Sequence, residues 1–233
     1  DATGSFIGGW STPAVEKGRP TGLAVDPHGN VLVADTHYHR ILRYSSEGKL
    51  LGEFGSEGTG PGQFIYPVGL AVAEDGAIYV SEFGGNDRIQ VFTPEGKVLR
   101  GWGNYGEAPG EFKRPQGLAL SGERLYVADA ANHRIQVFTP DGTFLTSWMG
   151  VRYPYSVSVD PQGRVLVAEY GRHCVARFTP EGTPAGSAGH AGTEPGELNT
   201  PWAAIAAGER VFVSDSGNHR VQIWPSRLLG VRP

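Results

Sequence analysis

The chain has 233 residues, 39% hydrophobic and 19% charged, so it can bury a core and is not a disordered polypeptide. Its net charge of −4 and pI of about 6.0 do not provide the basic surface that phosphate-backbone binding requires. The one cysteine, Cys174, excludes an internal disulfide, and no apolar run reaches the roughly 18 residues of a transmembrane helix.

A short motif that begins with proline recurs along the chain. It reads Pro-Thr-Gly-Leu-Ala-Val from Pro20, Pro-Val-Gly-Leu-Ala-Val from Pro67 and Pro-Gln-Gly-Leu-Ala-Leu from Pro115, with looser copies from Pro154 and Pro201. Successive copies are 39 to 48 residues apart. A period of roughly 40–50 residues that contains several short strands is typical of propeller blades.

Each period predicts four strands in the same order. In the first period they are Gly22–Val25, Val31–Asp35, Arg40–Tyr44 and 50–55. The later turns Thr-Pro-Glu-Gly and Thr-Pro-Asp-Gly favour a hairpin before the last strand, because proline presets φ and glycine tolerates the final position. The sequence therefore predicts one all-β domain, residues 1–233, folded as a five-bladed β-propeller of four-stranded antiparallel blades. The expected blades are approximately 20–64, 67–112, 115–151, 154–198 and 201–224 plus 1–16.

The outer strand of the fifth blade is predicted at the start of the chain. Only four outer strands follow their own blades in sequence, whereas residues 6–10 read like the outer strands at 51–54 and 99–102. Pairing of 6–10 with 221–224 would remove the exposed edges that an open sheet must otherwise protect. We therefore expect the N-terminal strand to pair with the last blade and close the ring.

Two blades carry a longer signature. It reads Val-Ala-Asp-Ala-Ala-Asn-His-Arg-Ile-Gln-Val-Phe at 127–138 and Val-Ser-Asp-Ser-Gly-Asn-His-Arg-Val-Gln at 213–222, and a glycine-rich linker occupies 54–64. In these motifs the chain resembles the NHL-repeat β-propeller family over essentially its whole length. The resemblance implies the fold, with six blades in most members. It leaves the function open, because the family includes RNA binders, protein-binding scaffolds, sensor domains and a lyase.

A carboxylate that ends the second strand recurs with an arginine that begins the third. These groups could form a ring of acid–base or metal-binding residues, or they could pair structurally across each hairpin. Because an active site is needed once and a fold device in every blade, we interpret the pattern as a structural ladder. In the fourth blade Cys174 replaces the arginine and leaves Glu169 to pair with Arg172, Arg177 or solvent. The predicted ladder residues are Asp35, Arg40, Glu82, Arg88, Asp129, Arg134, Glu169, Asp215 and Arg220.

Cys174 is also the one candidate thiol nucleophile. A reactive thiol needs an activating base and an exposed position. Its neighbour His173 would point to the opposite face of a strand, so we expect a buried, inert thiol.

Two enzyme branches of related propellers are tested by residue position. The resemblance to peptide-amidating lyases implies zinc ligands from Pro-His pairs that open the innermost strands, but here the prolines precede Thr21, Val68, Gln116, Tyr155 and Trp202. The Asn, Asp and Glu set that calcium-dependent lactonases place around the channel is missing from these positions too. We therefore expect no catalytic residue, no metal and no cofactor.

The loops that enter the innermost strands should meet on one face of the disc, around the mouth of the channel. The residues of these loops differ from blade to blade, whereas residues with a structural role should be the same in every blade. Tyr, Trp and Arg are also the residue types that dominate binding hot spots. The alternative is that the aromatic side chains fill the channel as core. The predicted partner-binding residues are Arg19, Tyr66, Arg114, Tyr153, Tyr155 and Trp202.

These observations favour a non-enzymatic scaffold or accessory subunit of a larger assembly, which binds a protein partner through one face of the propeller. We expect an exported bacterial protein, periplasmic or extracellular, with the cytoplasm as the alternative. A channel-mouth small-molecule binder or a lyase- or lactonase-like enzyme is the first alternative function. An RNA-binding NHL domain is the second, because aromatic residues are present but a ring of Lys and Arg is not.

Overall fold

A computed structural model describes residues 5–6, 8–18 and 20–230. These residues form five antiparallel sheets in which each strand pairs with its neighbour in sequence. The predicted all-β, five-bladed propeller is confirmed. The first blade contains β1 (Gly22–Val25), β2 (Val31–Asp35), β3 (Arg40–Tyr44) and β4 (Leu50–Phe54); the second contains β5 (Tyr66–Val72), β6 (Ile78–Phe83), β7 (Arg88–Phe92) and β8 (Val98–Trp102). The third contains β9 (Pro115–Ser121), β10 (Arg124–Asp129), β11 (Arg134–Phe138) and β12 (Phe144–Trp148); the fourth contains β13 (Pro154–Val159), β14 (Val165–Glu169), β15 (Cys174–Phe178) and β16 (Pro184–Ala188). The fifth contains β17 (Ala203–Ala207), β18 (Arg210–Asp215) and β19 (Arg220–Pro225).

Short 3₁₀ segments complete the described secondary structure. Three of them connect the second and third strands of their blades, and the fourth follows β19. They are Thr36–Tyr38, Ala130–Asn132, Ser216–Asn218 and Ser226–Gly230. In the part of the chain that the structure describes, no helix is long and apolar enough to cross a membrane.

The core lies between the blades. The third residue after each motif proline packs on the sheet of the preceding blade: Leu70 on the first, Leu118 on the second and Val157 on the third. Both faces of an inner sheet are thereby covered, which explains why the strands are apolar throughout. Because each layer needs two blades, the blades stabilise one another in series.

An aromatic contact also ties each blade to the next. Phe54, at the end of an outer strand, packs on Phe92 of the following blade with ring centroids 4.9 Å apart. Trp102 packs in the same way on Phe138 at 5.8 Å. A glycine beneath the outer aromatic leaves room for it, since a Cβ at Gly96 would lie 2.6 Å from the Phe54 ring. Trp148 and Phe178 repeat the arrangement, with centroids 5.9 Å apart.

The start of the chain joins this series, but not in the predicted way. Trp10 packs on Tyr44 at 5.9 Å and covers Gly48, so it takes the place that Phe54 takes on the second blade. The residues around it form no strand in the described segments 5–6 and 8–18, and glycines at positions 8 and 9 are poor strand residues. Residues 1–4 and Ile7 lie outside the described residues.

The predicted closure by pairing of 6–10 with 221–224 is therefore corrected. The fifth blade has three strands, and among the described residues β19 pairs only with β18. Val221 is 65% exposed, although the equivalent Ile41 and Val175 are fully buried. On the facing side Leu23 is 68% exposed. After β19 the chain turns back over the fourth blade, where the Ser226 carbonyl accepts a hydrogen bond from Arg177 at 2.8 Å.

Candidate binding site at the channel mouth

The innermost strands surround a channel with a volume of about 740 Å³. Glycine allows these strands to approach closely: a Cβ on Gly22, Gly69 or Gly117 would overlap the backbone of the next blade. In the fourth blade Ser156 replaces this glycine, and its hydroxyl accepts a hydrogen bond from the Ala204 N–H at 3.1 Å. The residues next to each motif proline border the mouth of the channel.

Stacked aromatic rings occupy one side of the mouth. Tyr155 lies at their centre, 4.8 Å from Tyr170, 5.7 Å from Trp202 and 6.2 Å from Tyr153 between ring centroids. The three pairs have interplanar angles of 26° to 27°. Trp202 remains 45% exposed. The rings border the open channel and do not fill it.

Further aromatic side chains lie next to Arg114 at the mouth. The ring centroids of Tyr66 and Phe83 are 5.5 Å apart, and the Arg114 guanidinium lies 4.7 Å from the centroid of the Phe83 ring. His37 contacts the edge of Tyr66 at 5.9 Å. Arg114 therefore stands on an aromatic face at the rim, a favourable position for a cation.

Histidines of the NHL-like signature hold the loops of the mouth. Tyr153 and Thr200 adopt left-handed backbone, with φ of 50° and 47°. Their N–H groups donate to Nδ1 of His133 and of His173, the histidines of the preceding blades, each at 3.1 Å. The rings of these two histidines thus set the positions of Tyr153 and Thr200.

Charge at the mouth is positive. Among the described residues that line the channel, Arg114 is the one permanently charged side chain, and none carries a carboxylate. Burial raises the pKa of Tyr155, so its hydroxyl stays neutral at ordinary pH. Arg19, the other basic residue expected here, lies outside the described residues.

The structure brings each ladder carboxylate and its arginine together. Their ion pairs measure 2.9 Å for Arg40–Asp35 and 2.7 Å for Arg88–Glu82, Arg134–Asp129 and Arg220–Asp215. Arg134 also donates to backbone carbonyls of the linker from the preceding blade, at Glu107, Ala108 and Glu111. Gln136 binds the same linker, a role that the sequence analysis did not assign although glutamine recurs in the motif. The ladder thus anchors linkers as well as hairpins.

The fourth blade shows why its ladder differs. The linker that enters it, 149–153, is short and lacks the isolated bridge that joins Tyr105 to Phe112 in a longer linker. An arginine here would have fewer carbonyls to bind. Cys174 takes its place with Sγ 3.9 Å from Glu169, which pairs with Arg172 at 3.2 Å. Burial, followed by the charge of Glu169, raises the pKa of the Cys174 thiol to about 12.

The described residues contain no cluster of three or more His, Cys, Asp or Glu side chains that could hold a metal ion. Tyr66, Arg114, Tyr155 and Trp202 line the channel, and Tyr153 stacks on Tyr155 at the rim. Sequence analysis did not assign Phe83 and Tyr170 to the mouth. Both directly follow a ladder carboxylate, a position that also varies between blades and signals a second ring of mouth residues.

Comparisons with known proteins agree with this architecture. The NHL repeat matches residues 18–44, 64–92, 112–138 and 152–178. Protein brain tumor of Drosophila melanogaster is 36% identical over 74 residues, which are 31% of this chain and only 7% of that protein.

Several solved structures share the fold at low sequence identity. Virginiamycin B lyase from Staphylococcus aureus is 17% identical with a TM-score of 0.66, over 92% of this chain and 72% of that one. A protein of unknown function from Bacteroides caccae is 15% identical with a TM-score of 0.73, over 96% and 84% of the two chains. A chain of the nidogen/laminin complex is 20% identical with a TM-score of 0.70, over 88% and 75%. At these identities the likeness concerns the fold alone.

Proposed function

Since NHL repeats match four segments of the chain and its fold is a five-bladed propeller, we propose that it is a non-enzymatic scaffold or accessory subunit that binds a protein partner at the channel mouth. The observation that carries the proposal is the stacked group of Tyr153, Tyr155, Tyr170 and Trp202 beside an open channel. Large aromatic side chains contribute binding energy at little conformational cost when a partner covers them.

The contrast between mouth and ladder supports a recognition role. The ladder repeats one arrangement in four blades, as expected of a device that stabilises the fold. The residue after the motif proline instead changes from Thr21 to Val68, Gln116, Tyr155 and Trp202. A surface that differs from blade to blade can recognise an asymmetric partner.

A small molecule is the second candidate ligand for the same site. The volume of about 740 Å³ lies within the range of roughly 300–1,000 Å³ that is typical of small-molecule pockets. The periplasmic or extracellular location of a bacterial protein stays a prediction.

The triple variant Y66A/Y155A/W202A tests the proposed function. Proteins bound to the wild-type chain in extracts of its native source are compared with those bound to the variant. We expect the variant to remain folded, at a lower unfolding temperature because its ring contacts are lost, and to lose its specific partner, while Tyr105→Ala, at an exposed tyrosine of the linker, keeps it. A folded triple variant that retains the partner would place the binding site elsewhere.

A further inference from the structure

One polar side chain at the mouth has no hydrogen-bond partner among the described residues. Gln116 is only 8% exposed and lines the channel, yet its side-chain amide makes no hydrogen bond with the described residues. The nitrogen and oxygen of this amide are not among the fully buried, unpaired polar atoms of the described residues, so solvent reaches them. The amide of Gln116 therefore faces the channel as a donor and acceptor available to a ligand.

A cation lies two residues before this amide. Arg114 is exposed and forms no ion pair with the described residues, although its guanidinium is held over the Phe83 ring. No described carboxylate borders the channel to neutralise it. The Asp87 carboxylate accepts a hydrogen bond from the backbone N–H of Arg114 at 2.6 Å, but it is buried and does not line the channel. An anionic group that enters the mouth therefore meets the fixed positive charge of Arg114, and a guanidinium binds carboxylates with two parallel hydrogen bonds.

An aromatic wall lies beside both groups. Tyr155 borders the channel in the blade that follows Gln116, and it stacks on Trp202 in the next blade. Parallel rings with one partly exposed face offer an offset-stacking surface for another planar ring. Cation, amide and aromatic wall thus succeed one another around one side of the mouth.

From this succession we infer that the channel mouth binds the C-terminal end of a polypeptide whose last residue is aromatic. Its terminal carboxylate pairs with Arg114, its last backbone amide hydrogen-bonds with Gln116, and its ring stacks beside Tyr155 and Trp202. A chain end is the occupant because a channel of about 740 Å³ holds a drug-sized group, whereas an internal segment would have to enter and leave it. The inference rests on the proposed function and specifies the chemistry of the partner.

Synthetic peptides test it with the whole chain. The probes are acetyl-Gly-Ser-Gly-Ser-Phe with a free C-terminal carboxylate, the same peptide as its C-terminal amide, and an amidated peptide with Glu in place of the last Ser. Binding is measured by calorimetry to the wild type and to Arg114→Gln, Gln116→Leu and Arg227→Gln, the last as a control at an exposed arginine outside the channel.

We expect the free acid to bind the wild type at least about tenfold more tightly than the amide, as a charge-assisted hydrogen-bond pair provides. Arg114→Gln should abolish this preference, Gln116→Leu should weaken both peptides, and Arg227→Gln should change neither. Equal binding of acid and amide to the wild type, or no binding of any probe at millimolar concentration, overturns the inference. Preferential binding of the Glu peptide overturns the chain end as the source of the carboxylate. In each case a partner lost from Y66A/Y155A/W202A would still support the proposed function.

Discussion

The inner junctions between blades and the two faces at the ends of the series are built from equivalent residues with different surroundings. Val175 of the fourth blade packs beneath the fifth, whereas Val221 occupies the equivalent place in the fifth blade and lies in the open. Leu70 is buried against the first blade, whereas the equivalent Leu23 is exposed. An apolar strand face therefore contributes to stability only where a neighbouring blade covers it.

The largest expected effect comes from the ladder of an inner blade. The Arg134 side chain is 9% exposed, and it binds Asp129 and three linker carbonyls. Arg134→Ala leaves a buried carboxylate without its cation, so it should lower the free energy of unfolding by about 3–5 kcal/mol. Arg220→Ala, in the end blade with a side chain 30% exposed, should cost less, about 1–3 kcal/mol.

Urea unfolding followed by circular dichroism measures both variants against the wild type. Equal losses for Arg134→Ala and Arg220→Ala would contradict the difference between inner and end blades. A smaller loss for Arg134→Lys than for Arg134→Ala would separate the lost charge from the lost forked hydrogen bonds.

Two valines compare the junctions directly. Val175→Ala removes methyl groups from a closed layer and should cost about 2 kcal/mol. Val221→Ala should change stability by no more than about 0.5 kcal/mol, because that side chain is exposed. Thermal unfolding of the two variants at equal concentration provides the measurement. A loss at Val221 as large as that at Val175 would show that the end face is covered in solution.

Lowering the pH should change the contributions of Asp129 and Asp215 to folding stability in opposite directions. In the inner blade, burial outweighs the hydrogen bonds from Asn132 and Lys113 and raises the pKa of Asp129. In the end blade burial also acts to raise the pKa, but hydrogen bonds from Asn199 and Asn218 outweigh it and lower the pKa of Asp215 below its ordinary value. The contribution of Asp215 is thus present above its unfolded pKa and lost as the pH falls through its folded one. The contribution of Asp129 is present at low pH and lost as the pH rises through its raised pKa.

The pH dependence of stability in two variants separates these contributions. Between about pH 6 and pH 3, Asp215→Asn should make the acid-induced loss of stability shallower than in the wild type. Asp129→Asn should make it steeper, whatever its effect on stability at neutral pH. Identical slopes in the two variants would show that inner and end carboxylates have the same environment.

Sequence reasoning located the blades because proline, glycine and turn residues act locally and recur with the period. It also paired Asp129 with Arg134, since strand ends that meet across a hairpin leave little choice. It aligned Trp10 with the residues that end the outer strands, and the ring does pack on the first blade. It did not predict the path of the chain around Trp10. Which strands pair across the ends of the series depends on the distance between two remote blades, and no local pattern encodes that distance.

The mouth was harder to derive than the blades. Its residues were named from their position beside each motif proline, and that position does border the channel. The stacking of Tyr155 on Tyr170 could not be read in advance, because it joins an inner strand to the end of its neighbour. The histidine that fixes Tyr153 belongs to another blade, and its role requires the left-handed backbone of the receiving residue.

The buried thiol of the fourth blade provides a probe for the local opening of that blade, because the rate of its chemical modification depends on how often the sulfur becomes exposed. Since the pKa of Cys174 is raised to about 12, the closed blade holds almost no thiolate at neutral pH, and a disulfide reagent must wait for a fluctuation that exposes the sulfur. The labelling rate of the unmodified chain then reports how often β15 separates from its neighbours. If a ligand at the mouth slows the modification of Cys174, then binding at the channel reduces the opening of the outer strands of the fourth blade.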